Sequence, residues 1–177
     1  MGFVTIATSV WLRLDSSLGL AALLGVSALG KFVKLLKQGG HPLFAPGKLY
    51  PRALLPPVVL LEVTTVGLLL CGELQAGLVC SSAFLAGVAH AQLQPGGPAR
   101  SKGAKALGPF VVAAGLQARA LLSPGMSAPP STLLLSLPTR DMSAQMLCAA
   151  SAAASFCFSC AMHDLNRADS SESAKGR

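Results

Sequence analysis

A-L-L-P-P-V-V-L-L-E-V-T-T-V-G-L-L-L-C-G-E-L-Q-A-G-L-V-C-S-S-A-F-L-A-G-V-A-H-A-Q-L, residues 53–93, is the stretch whose reading decides the fold. It divides into two apolar segments, each of about 18 to 20 residues, the length that crosses a bilayer as an α-helix. The break between them is Gly72-Glu73, short enough for a tight transmembrane hairpin. Glu62 lies inside the first segment and His90 near the end of the second.

Composition agrees with that reading. Of 177 residues, 52% are hydrophobic and 12% charged, with a mean hydropathy of +0.59. Soluble domains carry about a quarter charged residues, so this chain cannot clothe a globular surface in polar groups. The net charge of +7 raises nucleic acid as a partner. However, the Lys and Arg residues stand in short clusters between apolar runs, which is charge used to orient a membrane protein. The partners expected are therefore the lipid bilayer and other membrane proteins, not nucleic acid. Cys71, Cys80, Cys148, Cys157 and Cys160 form no even set and no secreted disulfide framework.

Residues 1–17 read as an N-terminal interfacial segment: Phe3 to Leu12 is too short to span, and Trp11, Arg13 and Asp15 suit the headgroup level. Gly2 lacks the Ser or Thr at the sixth position that a myristoylation motif wants, and no basic n-region marks a signal peptide. A first span runs from about Leu18 to Leu36 and ends among Lys31, Lys34 and Lys37. A Gly/Pro-rich loop with Lys48 and Arg52 follows, then the second span from the Pro56-Pro57 pair to Cys71 and the third from Leu74 to Leu93. A basic loop with Arg100, Lys102 and Lys105 leads to a fourth span, about Ala106 to Leu122.

The expected domain plan is thus a four-helix membrane unit over 18–123, a Pro/Ser-rich linker over 124–141, a fifth membrane segment over 142–163 and a disordered polar tail over 164–177. The fold class is all-α, an integral membrane helical bundle of four transmembrane helices plus a fifth. Small residues recur every fourth position at Ala83, Gly87 and Ala91 in the third span, and at Ala149, Ala153, Cys157 and Ala161 in the fifth. In lipid such stripes let helices approach closely, so both are expected as packing faces.

The positive-inside rule puts the two basic loops on the cytoplasm-like side and the N-terminus opposite; which membrane this is stays open. Because spans alternate in direction, Lys31, Glu62 and His90 all fall toward the basic side and can converge, with Thr65 one turn along from Glu62. Lys34 is an alternative to Lys31 as the partner of Glu62. A charge within a span costs on the order of 3 kcal/mol if unpaired, so pairing is expected. The group is then either a structural staple or a pocket for a quinone, a lipid headgroup, a proton or a client helix.

The run G-K-F-V-K-L-L at the end of the first span, P-P-V-V-L-L-E-V-T-T-V-G-L-L-L-C-G, and G-V-A-H-A-Q-L at the end of the third, in that order before a basic loop and a fourth helix, together resemble the DoxX-like family of small four-helix membrane proteins. They resemble in particular the branch that includes the nicotinic-receptor chaperone, with its G-x-x-K, L-E-V and F-F-H features. The resemblance covers about Leu18 to Leu122. It departs where the family has Gly three residues before Lys: this chain has Ala28 before Lys31, or Gly30 four before Lys34. The linker and fifth segment lie outside the family pattern. The resemblance implies accessory subunits of quinone-linked sulfur oxidation, or membrane chaperones.

Other chemistry has little support. Cys157-Phe-Ser-Cys160 is a C-x-x-C with His163 and Asp164 near, yet zinc needs further ligands and a thioredoxin motif needs a strand before its helix. His41 stands alone in a loop, Arg119 reads as a snorkelling interfacial residue, and no phosphate loop or nucleophile elbow is present. The expected function is a non-catalytic accessory or assembly protein that engages partner transmembrane helices. The alternatives are a quinone-linked membrane subunit of an oxidoreductase, in which Lys31, Glu62 and His90 hold the headgroup, and a peripheral subunit of a large respiratory or photosynthetic complex.

Overall fold

The computed structural model describes residues 15–37, 43–44, 48–94, 97, 107–122 and 143–175, with side chains up to 168. Most of the expected N-terminal interfacial segment and all of the 124–141 linker lie outside the described residues, as does His41. Among the described residues, five α-helices make up the fold: α1 (Ser16–Leu36), α2 (Leu55–Leu70), α3 (Leu74–Leu93), α4 (Gly108–Leu121) and α5 (Ala144–Lys175), with a 3₁₀ turn, Arg52–Leu54, leading into α2.

The helix boundaries follow from local chemistry. Asp15 caps α1, its carboxylate accepting from the Ser17 amide at 2.9 Å and the Ser17 hydroxyl at 2.7 Å. Those two bonds hold the Asp15 carboxyl below its ordinary value, with help from the Arg119 charge. Pro56 and Pro57 occupy the first turn of α2, where the missing amide protons have no intrahelical acceptor to lose. Gly72, at φ +83°, ends α2: Glu73 N donates to Leu68 O at 2.9 Å and Gly72 N to Leu69 O at 3.4 Å, the paired bonds of a Schellman turn. The chain reverses there, and a Cβ on Gly77 would lie 2.6 Å from Leu69 Cδ2, so α2 and α3 are nearly in backbone contact at the turn.

Helix α3 is the hub. It packs against α2, α4 and α5, and 56% of its span is buried, against 28% for α1 and α2 and 11% for α5. One core cluster joins Leu20 and Leu24 of α1 to Leu69, Leu78, Leu85 and Leu116; a second, toward the basic loops, gathers Phe44, Leu49, Tyr50, Leu55 and Val59. Large aliphatic side chains such as Val26, Leu29, Leu60 and Val111 point outward. On a soluble protein that would be a liability, whereas on a bundle in lipid it is the solvent-matched face.

Among the described residues, four helices are long and apolar enough to cross a membrane: α1, α2 with its preceding turn, α3, and α5 over Ala144–Ala168. The chain therefore has the build of a multi-pass membrane protein. The division differs from the expected one. The expected fourth span is α4, whose 14 residues reach about 21 Å, short of the roughly 30 Å hydrocarbon core. The segment expected to be the weaker fifth is long enough. Its helix continues through the polar residues to Lys175, where composition alone predicts a disordered tail.

Helices α3 and α5 run parallel in a fixed register. The Ser151 hydroxyl donates to Val79 O at 3.1 Å and the Ser155 hydroxyl to Ala83 O at 2.6 Å, both 72 residues apart in sequence. One turn on, Ser159 Oγ would meet a Cβ on Gly87 at 3.4 Å. This ladder corrects the reading of α5. Ala83, Gly87 and Ala91 do face a helix, but that helix answers with Ser151, Ser155 and Ser159, while Ala149, Ala153, Cys157 and Ala161 are exposed on the far side. The reason is that a serine hydroxyl in lipid seeks an acceptor, and the carbonyls of α3 supply one; an alanine face has no such demand.

Candidate functional site

Lys31, in the last third of α1, meets Glu62, in the first half of α2. Lys31 Nζ donates to Glu62 Oε1 at 2.6 Å and to Ser27 Oγ at 2.7 Å, and it lies 4.9 Å from the centre of the Phe84 ring. Glu62 is fully buried, and the Lys31 side chain is 14% exposed. The antiparallel packing of α1 on α2 therefore places the two charges at one depth. Lys34 is exposed, so Lys31 is the partner. Thr65 is fully buried, its hydroxyl donating back to Leu61 O at 2.7 Å within its own helix. Glu62 Oε2 has no hydrogen-bond partner among the described residues.

His90 does not join this pair. It is buried, with Nδ1 2.6 Å from the Tyr50 hydroxyl and Nε2 2.8 Å from the Gln94 amide, and its ring is edge-on to Phe156 and 5.9 Å from that of His163. The expected convergence of Lys31, Glu62 and His90 is thus two separate groups. Phe84 sits at the level of Lys31, and the six residues from Phe84 to His90 carry the imidazole about 9 Å further along α3. Tyr50 is the chain's single tyrosine and comes from the loop before α2. Burial pushes its phenol up to about 12, so it stays protonated beside His90.

Between these groups is a half-open cavity of about 370 Å³, within the size range of ligand pockets. Val58 and Leu61 of α2 form one wall, Phe84 and Val88 of α3 the floor, and Ser155 and Phe158 of α5 the other wall. Helices α2 and α5 both lie on α3 and scarcely touch each other, which leaves the gap. Among the described residues, Lys31 is the one charged lining residue, and its charge is already matched by Glu62. Gln92 also lines the cavity, and its Oε1 is buried with no hydrogen-bond partner among the described residues.

A third polar group is structural. Gln117 of α4 accepts from Ser81 at 3.0 Å and donates to Ser82 and, at 3.5 Å, to Leu78 O, stapling α4 to α3. At the basic end, Asn166 of α5 donates to Lys48 O at 2.7 Å and ties the loop to the helix. The sequence reading missed these ties, Tyr50 and the serine ladder. The one available signal was the four-residue spacing of Ser151, Ser155 and Ser159.

The remaining candidates are not brought together. Cys157 is exposed and Cys160 half-buried, both as free thiols, and among the described residues no three His, Cys, Asp or Glu side chains are placed to hold a metal. Arg119 is half-buried near the end of α4. Compared with known proteins, the chain is matched by no family model, and by neither the curated proteins nor the solved structures.

Proposed function

We propose that this chain is a non-catalytic accessory protein of a membrane, and that it holds a lipid-soluble molecule in the cavity between α2 and α5. The observation that carries this is the cavity itself: about 370 Å³, apolar over most of its wall, with a single charged residue among the described lining residues, already neutralised by Glu62. A matched, buried charge orients a ligand; it is neither a free base nor a nucleophile. The DoxX-like resemblance agrees, since that family includes quinone-linked accessory subunits, and a quinone is one molecule the site would admit.

The test is extraction of the full-length protein in mild detergent, followed by mass spectrometry and an absorbance spectrum. The expected result is a lipophile retained at near one per chain and displaced when Val88→Trp fills the cavity. A protein that carries no lipophile overturns the reading. Stoichiometric partners bearing haem, flavin or pigment would instead make it a peripheral subunit of a redox or photosynthetic complex.

A second reading, engagement of a partner's transmembrane helix, is favoured by the outer face of α5. There Ala149, Ala153, Cys157 and Ala161 are exposed at every fourth position on the least buried of the long helices. Outward faces in lipid are otherwise built of large aliphatics, as on α1 and α2. A small-residue face leaves a shallow groove into which a second helix fits.

A further inference from the structure

The proposed function leaves the class of lipophile open, and the polar groups of the cavity narrow it. We infer that the cavity is a site for an uncharged lipid alcohol, whose hydroxyl bonds to Gln92 while its hydrocarbon body lies along Val88 and Phe84 toward Lys31. This rests on the reading of the cavity as a ligand site.

Among the described residues, five polar side chains line the cavity: Lys31, Tyr50, Gln92, Ser155 and Ser159. Four of them have their partners inside the protein. The Lys31 ammonium donates to Glu62 and Ser27 and lies over the Phe84 ring. The Tyr50 hydroxyl is bonded to His90 Nδ1 and to Ser159, and the Ser155 hydroxyl donates to Ala83 O. None of these four requires a group on the ligand. Because Lys31 and Glu62 together are neutral, an ion bound beside them would leave a net charge buried between apolar walls. The ligand is therefore uncharged.

Gln92 is the exception. Its Oε1 is buried with no hydrogen-bond partner among the described residues. Leaving a buried acceptor unmet costs more than an ordinary hydrogen bond gains, so the site favours a ligand that brings a donor. A hydroxyl donates and accepts through one atom, and it thus meets the Gln92 carboxamide in either orientation of the amide. Ketones, esters and ethers only accept. A quinone or a triacylglycerol would leave Gln92 Oε1 as it is.

The order of groups along α3 fits the same class. Gln92 is eight residues beyond Phe84, about 12 Å along the helix toward the basic loops. Between them the lining of α3 is Val88 and Ala91, with Val58 of α2 and Phe158 of α5 in the side walls. The unmet polar atom is at the loop end and the apolar length runs inward from it. A lipid alcohol already has that orientation in a bilayer, with its hydroxyl near water and its hydrocarbon away from it.

The experiment is native mass spectrometry of the full-length protein released from phosphatidylcholine nanodiscs holding equal amounts of cholesterol and cholesterol methyl ether. A parallel sample holds dioleoylglycerol and its methyl ether. In each pair the capped form keeps the body and the oxygen but loses the donor. The expected result is one retained alcohol per chain, favoured about tenfold over its ether, as one hydrogen bond to an unmet buried acceptor would give. The sample that shows this preference tells a sterol ligand from a diacylglycerol. Gln92→Met should bring the ratio of alcohol to ether to unity with a molecule still bound, and Val88→Trp should expel both members of the pair. Equal retention of alcohol and ether by the unaltered protein, or a preference that survives Gln92→Met, overturns the hydroxyl contact while keeping the cavity as a ligand site. Retention of phosphatidylcholine in place of either alcohol overturns the uncharged class, and no retained molecule overturns both readings.

Discussion

Lys31 Nζ and Glu62 Oε1 are 2.6 Å apart across the α1–α2 interface, and Glu62 is fully buried there. Each charge alone is worth less than nothing at this depth: removing one partner strands the other, at a cost of about 3 kcal/mol, whereas replacing both by apolar residues is close to neutral. Glu62→Leu is therefore expected to lower the thermal midpoint in detergent sharply, and Lys31→Met combined with Glu62→Leu to recover most of it. A double variant as unstable as the single one would show that the pair contributes beyond charge matching.

Tyr50 offers a pH-dependent readout outside the spans. Its phenol is raised from 10.0 to about 12 by burial, so the neutral form is favoured in the folded protein. The sign follows: this stabilisation is fully present below pH 10 and is lost as pH rises from 10 through about 12. Since Tyr50 is the only tyrosine, tyrosinate absorbance reports it alone. The folded protein should titrate near 12 and the denatured protein near 10. A folded midpoint near 10 would show Tyr50 open to water and released from His90.

The hairpin depends on two glycines for different reasons. Gly77→Ala sets a Cβ 2.6 Å from Leu69 Cδ2 and 3.3 Å from its backbone nitrogen, so the α2–α3 turn must open, with an expected loss of about 1 to 3 kcal/mol. Gly72→Ala meets no neighbour but is strained at φ +83°, costing about 1 kcal/mol. Gly67→Ala has free space within α2 and should be neutral or stabilising by up to about 1 kcal/mol. Thermal midpoints of the three variants check the order; a destabilised Gly67→Ala would contradict it.

The hairpin was legible because its signals are local: prolines in a first turn, a glycine after a last one, and apolar runs of membrane length. The meeting of Lys31 and Glu62 was also within reach, since alternating spans put both on one side. What sequence did not show depends on rotation and on distant partners. Two four-residue stripes compete on α5, and hydropathy cannot rank Ser151, Ser155 and Ser159 against Ala149 and Ala153. Hydrogen bonding to α3 decides between them. The partner of His90 comes from a loop, forty residues away in sequence, and depth arithmetic along helices cannot find it. Helix α4, Gly108–Leu121, is shorter than the expected span of about Ala106 to Leu122 because Leu107 and Leu122, apolar as they are, stand in the turns that flank it.

The two faces of α5 should respond oppositely to the same change. On the inner face, Ser155→Leu replaces a hydroxyl that donates to Ala83 O at 2.6 Å and forces a larger side chain against the α3 backbone, so α5 should detach. Ser155→Ala removes only the hydrogen bond and should cost about 0.6 kcal/mol. On the outer face, Ala153→Leu meets no part of the bundle, since Ala153 is exposed, and should leave the thermal midpoint and the hydrogen-exchange protection of α3 unchanged. If that face receives a partner's helix, Ala153→Leu should nonetheless abolish co-purification of the membrane protein that accompanies the unaltered chain. Unchanged recovery of that protein with Ala153→Leu would show that the outer face meets only lipid. Loss of stability on Ala153→Leu would show that α5 is rotated from the register set by its serines.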